Sequence, residues 1–154
     1  MSRYHISHIE SCFKEYIASS YALASLELNW DHQSRIQHEA EPVTLVDVRK
    51  AARFMDSTYT IRIFATFEAL LKEHMDQFHP QVRQPKDARA AQLIDQVGIR
   101  LSPKVGRELR EAVHEVRSHR NALVHSNLPT ENLTITDCIA RLSKFLAKLP
   151  EPRR

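Results

Sequence analysis

The sequence that ends at His125 gathers two arginines, an amide and two imidazoles into about three helical turns. His114, Arg117, Asn121 and His125 recur at spacings of three, four and four, so a helix would present them along one face. Arg120 lies on the adjoining stripe, four residues after Val116. That stripe also includes Val105, Leu109, Ala112 and Val113, and it resumes at Leu123. A guanidinium keeps its charge, so one written into a core-facing stripe needs a partner. Its fork of donors suits two-point contact with an oxyanion, and an imidazole beside it can exchange protons near neutral pH. The stretch is a site candidate.

Glu68 is the best partner for Arg120 in the chain. It falls four residues after Phe64 and three before Leu71, and so it too intrudes on an apolar face. Opposite charges in the apolar stripes of two helices predict a partly buried ion pair. Such a pair could serve the packing of a bundle or a site.

The elements that must position these residues read as helices throughout. A first helix spans Ser2 to Leu28, with Ile6, Ile9, Phe13, Ile17, Tyr21 and Ala24 as its apolar stripe. A polar stretch follows from Asn29 to Pro42, with Trp30 its largest apolar anchor. Thr44 and Asp47 have the spacing of a capping box. They open a helical pattern that continues to Phe78 with a break predicted near Asp56-Ser57-Thr58. Its second half carries Ile61, Ile63, Phe64, Phe67, Leu70, Leu71 and Met75 and should sit centrally.

Pro80 and Pro85 mark a loop, and Asp87 is placed to cap a short helix that Gly98 stops. Ser102-Pro103 has the N-cap and first-turn signature of the next helix, which carries the candidate site and ends near Ser126-Asn127, ahead of Pro129. A last helix starts at Thr134 or Thr136, carries Ile139, Leu142, Phe145, Leu146 and Leu149, and stops at Pro150. The reading is an all-α, single-domain bundle of about five helices over residues 1–150, with 151–154 a frayed basic tail.

Composition closes off several other classes. With two glycines, Gly98 and Gly106, no glycine-rich phosphate loop of either common type can form. No apolar run approaches the ~20 residues of a membrane span, and the first ten residues lack a signal-peptide pattern. Cys12 and Cys138 stand far apart and read as reduced thiols of a cytoplasmic protein. The nine histidines lack HExxH or companion ligands at helical spacing, so neither a metal nor another cofactor is indicated. A formal charge of +3, with fifteen arginines to seven lysines, permits phosphate contact without requiring it.

The series Arg120-Asn121-x-x-x-His125 resembles the motif of the HEPN superfamily: arginine, a polar residue, three more, then histidine, at the end of a late helix. Ile63-Phe64-Ala65-Thr66-Phe67-Glu68-Ala69-Leu70-Leu71 is similar to the aromatic-acidic segment of that superfamily's earlier core helix. The short helix before Gly98 and the closing amphipathic helix follow in the same order. The resemblance spans roughly Leu45 to Leu149.

The resemblance implies an all-α bundle that pairs as a homodimer, with both motif helices lining one cleft. It implies a metal-independent endoribonuclease of a toxin, phage-defence or RNA-processing system. Its substrate would be RNA (transfer or messenger), with an antitoxin or inhibitor protein as a further partner. On this pattern Arg120 holds the scissile phosphate, His125 moves protons, Asn121 orients and Glu68 fixes Arg120. Arg117 adds a phosphate contact, and Arg107 and Arg110 form a solvated basic face that guides RNA. His114 and His119 read as solvated helix residues, and Phe13, Tyr16 and Tyr21 as core or dimer interface. Asn127 stands where some antitoxin-paired members have a modified tyrosine, so control by tyrosine modification does not carry over. The competing reading is a non-catalytic HEPN bundle that binds a nucleotide or a partner protein; a third is an accidental match on a structural ion pair.

Overall fold

Thr44 and Thr134 open helices by the same device. In each, the threonine hydroxyl accepts the backbone N–H of the aspartate three residues on, at 3.3 Å for Asp47 and 3.1 Å for Asp137. Each aspartate in turn accepts the threonine's backbone N–H at 3.0 Å, which satisfies two helix-end donors reciprocally. These bonds from threonine hold both carboxyls below the usual aspartate range.

The computed structural model describes residues 3–30, 43–82, 89–101, 103–125 and 133–151. Among them are five helices and no strand: α1 Arg3–Leu28, α2 Leu45–Phe78, α3 Ala90–Arg100, α4 Arg107–Val124 and α5 Ile135–Leu146. Helix α2 touches all the others and carries Ile63, Phe64, Phe67, Leu71 and Met75 into a core shared with Leu93, Val113, Val116 and Phe145. Phe67 meets Phe145 edge-on with ring centroids 5.7 Å apart. Cys12 and Cys138 are free and buried, and burial pushes the Cys138 thiol up to about 11. No described helix is long and apolar enough to cross a membrane.

Several boundaries differ from the sequence reading. Helix α2 runs unbroken through 56–58, where the Tyr16 hydroxyl donates to Asp56 at 2.7 Å across to α1. Asp87 lies outside the described residues, and Arg89 with Gln92 opens α3. Gly98 does not stop α3, which continues to Arg100. The glycine instead makes room for a neighbour, because a Cβ there would stand 2.4 Å from Cδ and 2.9 Å from Cγ of Arg110. Gly98→Ala should therefore destabilise the fold by about 1–2 kcal/mol despite alanine's better helix propensity. Urea unfolding checks it, and a neutral result would mean that Arg110 swings aside freely.

Gly106, not Ser102, is the N-cap of α4; Ser102 lies outside the described residues and Pro103 stands in the preceding turn. The predicted end at Ser126-Asn127, the stretch 31–42 and residues 152–154 also lie outside them. Helix α5 ends at Leu146, though Leu149 stays buried beyond it.

The α1–α2 hairpin is antiparallel, with Tyr16 opposite Asp56, Ser19 opposite Tyr59 and Glu27 paired to Arg49 at 2.8 Å. At 34 residues α2 is about 50 Å long, nearly twice the length of α4. Apart from Val48, its buried positions begin at Thr60. The half of the hairpin beyond that point is a two-helix arm. Ile17, Tyr21 and Ala24, the far part of the apolar stripe read from the sequence, are exposed there.

The opposite end of the bundle is closed by the chain's two extremities. The His5 ring Nε2 lies 3.2 Å from the Pro150 carbonyl oxygen. Beside it His74 is 2% exposed and stacks on Phe78, with no hydrogen-bond partner for either ring nitrogen among the described residues. Leu101 and Lys104, just ahead of α4, line one cavity with Ala147 to Glu151. Helix α4 therefore starts at this closed end and runs back towards the arm.

Candidate functional site

The direction of α4 decides where its last turn stands. The Arg120 guanidinium carbon lies 5.7 Å from the centroid of the Phe64 ring, level with the middle of α2. His125 comes five residues later, about 7.5 Å further along the axis, at the base of the arm.

Arg120 is half-buried, as its place in the stripe requires, but its support is not the expected one. Its Nη1 donates to Oδ1 of Asn121 at 3.0 Å, and its plane is carried by Phe64. Glu68 does not pair with it. The Glu68 carboxylate instead takes the Lys72 ammonium at 3.1 Å, four residues along the same helix. That i,i+4 pair neutralises Glu68 on its own helix and leaves Arg120 without an acidic partner among the described residues. Arg120 Nε is buried and unpartnered there too.

Asn121 joins the two motif residues. Its side-chain oxygen accepts from Arg120, while its backbone carbonyl accepts the N–H of His125 at 3.1 Å. His125 is the exposed C-cap of α4, so its ring is open to a ligand. The asparagine amide NH2, turned from Arg120, remains a donor for whatever approaches.

The flanking polar residues behave differently from the solvated face read in the sequence. Arg107 is exposed and tied to Glu111, but Arg110 is half-buried with its stem across Gly98. Arg117 is also half-buried. Among the described residues, Arg110 and Arg117 each bury an unpartnered Nε. Arg49, Arg62, Arg107 and Arg141 each bind a glutamate. Arg110, Arg117 and Arg120 have no ion pair among the described residues, and it is their buried, unpartnered Nε that sets them apart from the other arginines described. His114 is not solvated either: its Nε2 lies 2.9 Å from Asp95 Oδ1 and bridges α3 to α4. His119 is buried, because it falls three residues after Val116 on the core side.

The roles of Phe64, Asp95 and His74 were missed from sequence. His74 had a visible signal, since it sits three residues after Leu71 on the same apolar stripe. Asp95 had none, because only the packing of α3 on α4 brings it to His114. No group of three or more His, Cys, Asp or Glu among the described residues could hold a metal ion. The site can thus offer an anion a half-buried guanidinium, an amide donor and an accessible imidazole. No family model matches the chain, and comparisons with curated proteins and with solved structures find no match.

Proposed function

We propose that the chain is a metal-independent endoribonuclease of HEPN type, acting as a homodimer with one composite site. The observation that carries this reading is Arg120: half-buried, fixed by Asn121 and Phe64, and unclaimed by any described carboxylate. A guanidinium held that way is preorganised for a phosphate.

In the proposed reaction the ribose 2′-oxygen attacks the adjacent phosphorus. His125 of one copy accepts the 2′-hydroxyl proton. The bond to the 5′-oxygen breaks, and His125 of the other copy protonates that oxygen. The products are a 2′,3′-cyclic phosphate and a 5′-hydroxyl, and no water or metal enters the step. Arg120 binds the phosphoryl oxygens as charge builds on them, Asn121 orients, and Arg117 and Arg110 take neighbouring phosphates. Glu68, paired to Lys72, takes no part as the anchor of Arg120.

Total RNA and transfer RNA incubated with the protein in EDTA test the reading. Wild type should cleave and leave cyclic phosphate ends. His125→Ala should lose about 10²–10⁴-fold in rate with an unchanged melting temperature, since the ring is exposed. Folded, dimeric wild type that cleaves nothing would return the site to a binding role, in which the same cations hold a nucleotide or an acidic partner.

A further inference from the structure

The bundle itself shows how a helix seats on the α1–α2 hairpin. Helix α5 packs against both hairpin helices and runs towards His5, which meets the Pro150 carbonyl just beyond it. Past the start of α5 at Ile135, the same side of the hairpin continues into the arm with no described helix over it. About eighteen residues make five full turns. Val46, Arg49 and Arg53 of α2 therefore occupy the angular positions that Phe64, Phe67 and Leu71 occupy in the core. On α1, Ala24 repeats the position of Ile6, which packs on the core, and Ile17 lies within about 20° of it.

The two ridges of this groove differ in character. From Tyr16 to Leu26 α1 contains no charged residue, and Ile17, Tyr21, Ala24 and Leu28 are exposed, Leu28 at 85%. The α2 ridge is cationic. Arg49 is held by Glu27 and Asp56 takes the Tyr16 hydroxyl, both across the seam between the helices. Lys50 and Arg53 are exposed and form no salt bridge among the described residues. A second copy fits this face badly. Like ridge on like ridge sets cations against cations, and crossed ridges set Ile17 and Leu28 against Arg53. An RNA strand has no apolar stripe to lay on Ile17, Leu28 and Val46. An amphipathic helix with an acidic flank satisfies both ridges at once, its apolar stripe on α1 and its carboxylates on Lys50 and Arg53.

We propose that the arm is a docking groove for an acidic amphipathic helix of a partner protein, seated in line with α5 over Ile17, Ala24, Leu28, Val46 and Arg53. The groove follows from helix geometry, burial and charge, and RNA cleavage plays no part in it.

Fluorescence anisotropy with a labelled helical peptide and the full chain tests the groove. The peptide has about four turns, leucines three and four residues apart, and glutamates along one flank. It should bind, more weakly as salt rises, and a version with lysines in place of the glutamates should bind at least about tenfold less tightly. Ala24→Glu and Arg53→Glu, at exposed positions on separate helices, should keep wild-type helicity and each weaken binding about tenfold or more. Phe54→Glu, exposed on another face of α2, should leave it unchanged. No binding, equal binding of the two peptides, or binding that neither arm variant weakens would overturn the proposal. A dimer in sedimentation velocity that Ala24→Glu dissociates would give the face to a second copy instead. Single-stranded RNA held only when Ala24 and Arg53 are intact would give it to RNA, and either result overturns the proposal.

Discussion

Replacing Arg120 by alanine should cost about 10²–10³-fold in RNA cleavage while lowering the melting temperature by only a few degrees. The asymmetry follows from its partners. Had Glu68 been its counter-ion, truncation would have stranded a buried carboxylate, at about 3–5 kcal/mol. Glu68 is neutralised by Lys72 instead, so Arg120→Ala forfeits one hydrogen bond to Asn121 and the contact with Phe64. Those are worth about 1–2 kcal/mol together. Arg120→Lys should keep most of the stability but not the rate, because an ammonium offers a point charge in place of a planar fork. Melting curves alongside cleavage rates decide it. A fall of more than about ten degrees for Arg120→Ala would make the arginine a packing residue.

Acid should unfold this protein early, and His74 is the cause. Burial, with smaller contributions from the nearby His79 and His5, holds the His74 imidazole down to about 4. In the unfolded chain it would return to about 6.5, so below that pH the unfolded state binds the extra proton. The stability tied to the neutral ring is complete above pH 6.5, drains away as pH falls towards 4, and changes little below. The total is about 3 kcal/mol, a large part of a domain's margin. His74→Leu removes two unsatisfied nitrogens from the interior and should flatten this dependence without loss at pH 7. Urea unfolding at pH 7.5, 5.5 and 4 compares the two chains. Parallel losses in both would clear His74 of the effect.

What the sequence reveals follows from the range of the interactions concerned. The Thr44 cap was legible because a capping box spans four residues and needs no tertiary partner; the same box at Thr134 settles a start that the reading left between Thr134 and Thr136. The central helix was legible because Phe64, Phe67 and Leu71 fall on one helical face. Gly98 was misread as a stop because its purpose is a neighbour, the Arg110 stem, which no local pattern encodes. The α1 stripe was legible as an apolar face along its whole length, but the burial of Ile9 and the exposure of Tyr21 were not, since periodicity does not report what covers a face. The Arg120–Glu68 pairing failed for a similar reason. Two charges on apolar stripes suggest each other, but Lys72, four residues from Glu68, was the nearer cation.

The bond between His5 and the carbonyl of Pro150 joins positions 145 apart in the chain. On the ribosome, the first two helices can pair as soon as they emerge, but nothing can seal their near end until the last helix has been made. At a synthesis rate of ~5–20 residues per second, the nascent hairpin waits several seconds with its apolar side uncovered. Chaperone demand should therefore concentrate on this early stage, and a nascent chain halted just after α2 should be more protease-sensitive than one halted just short of α5.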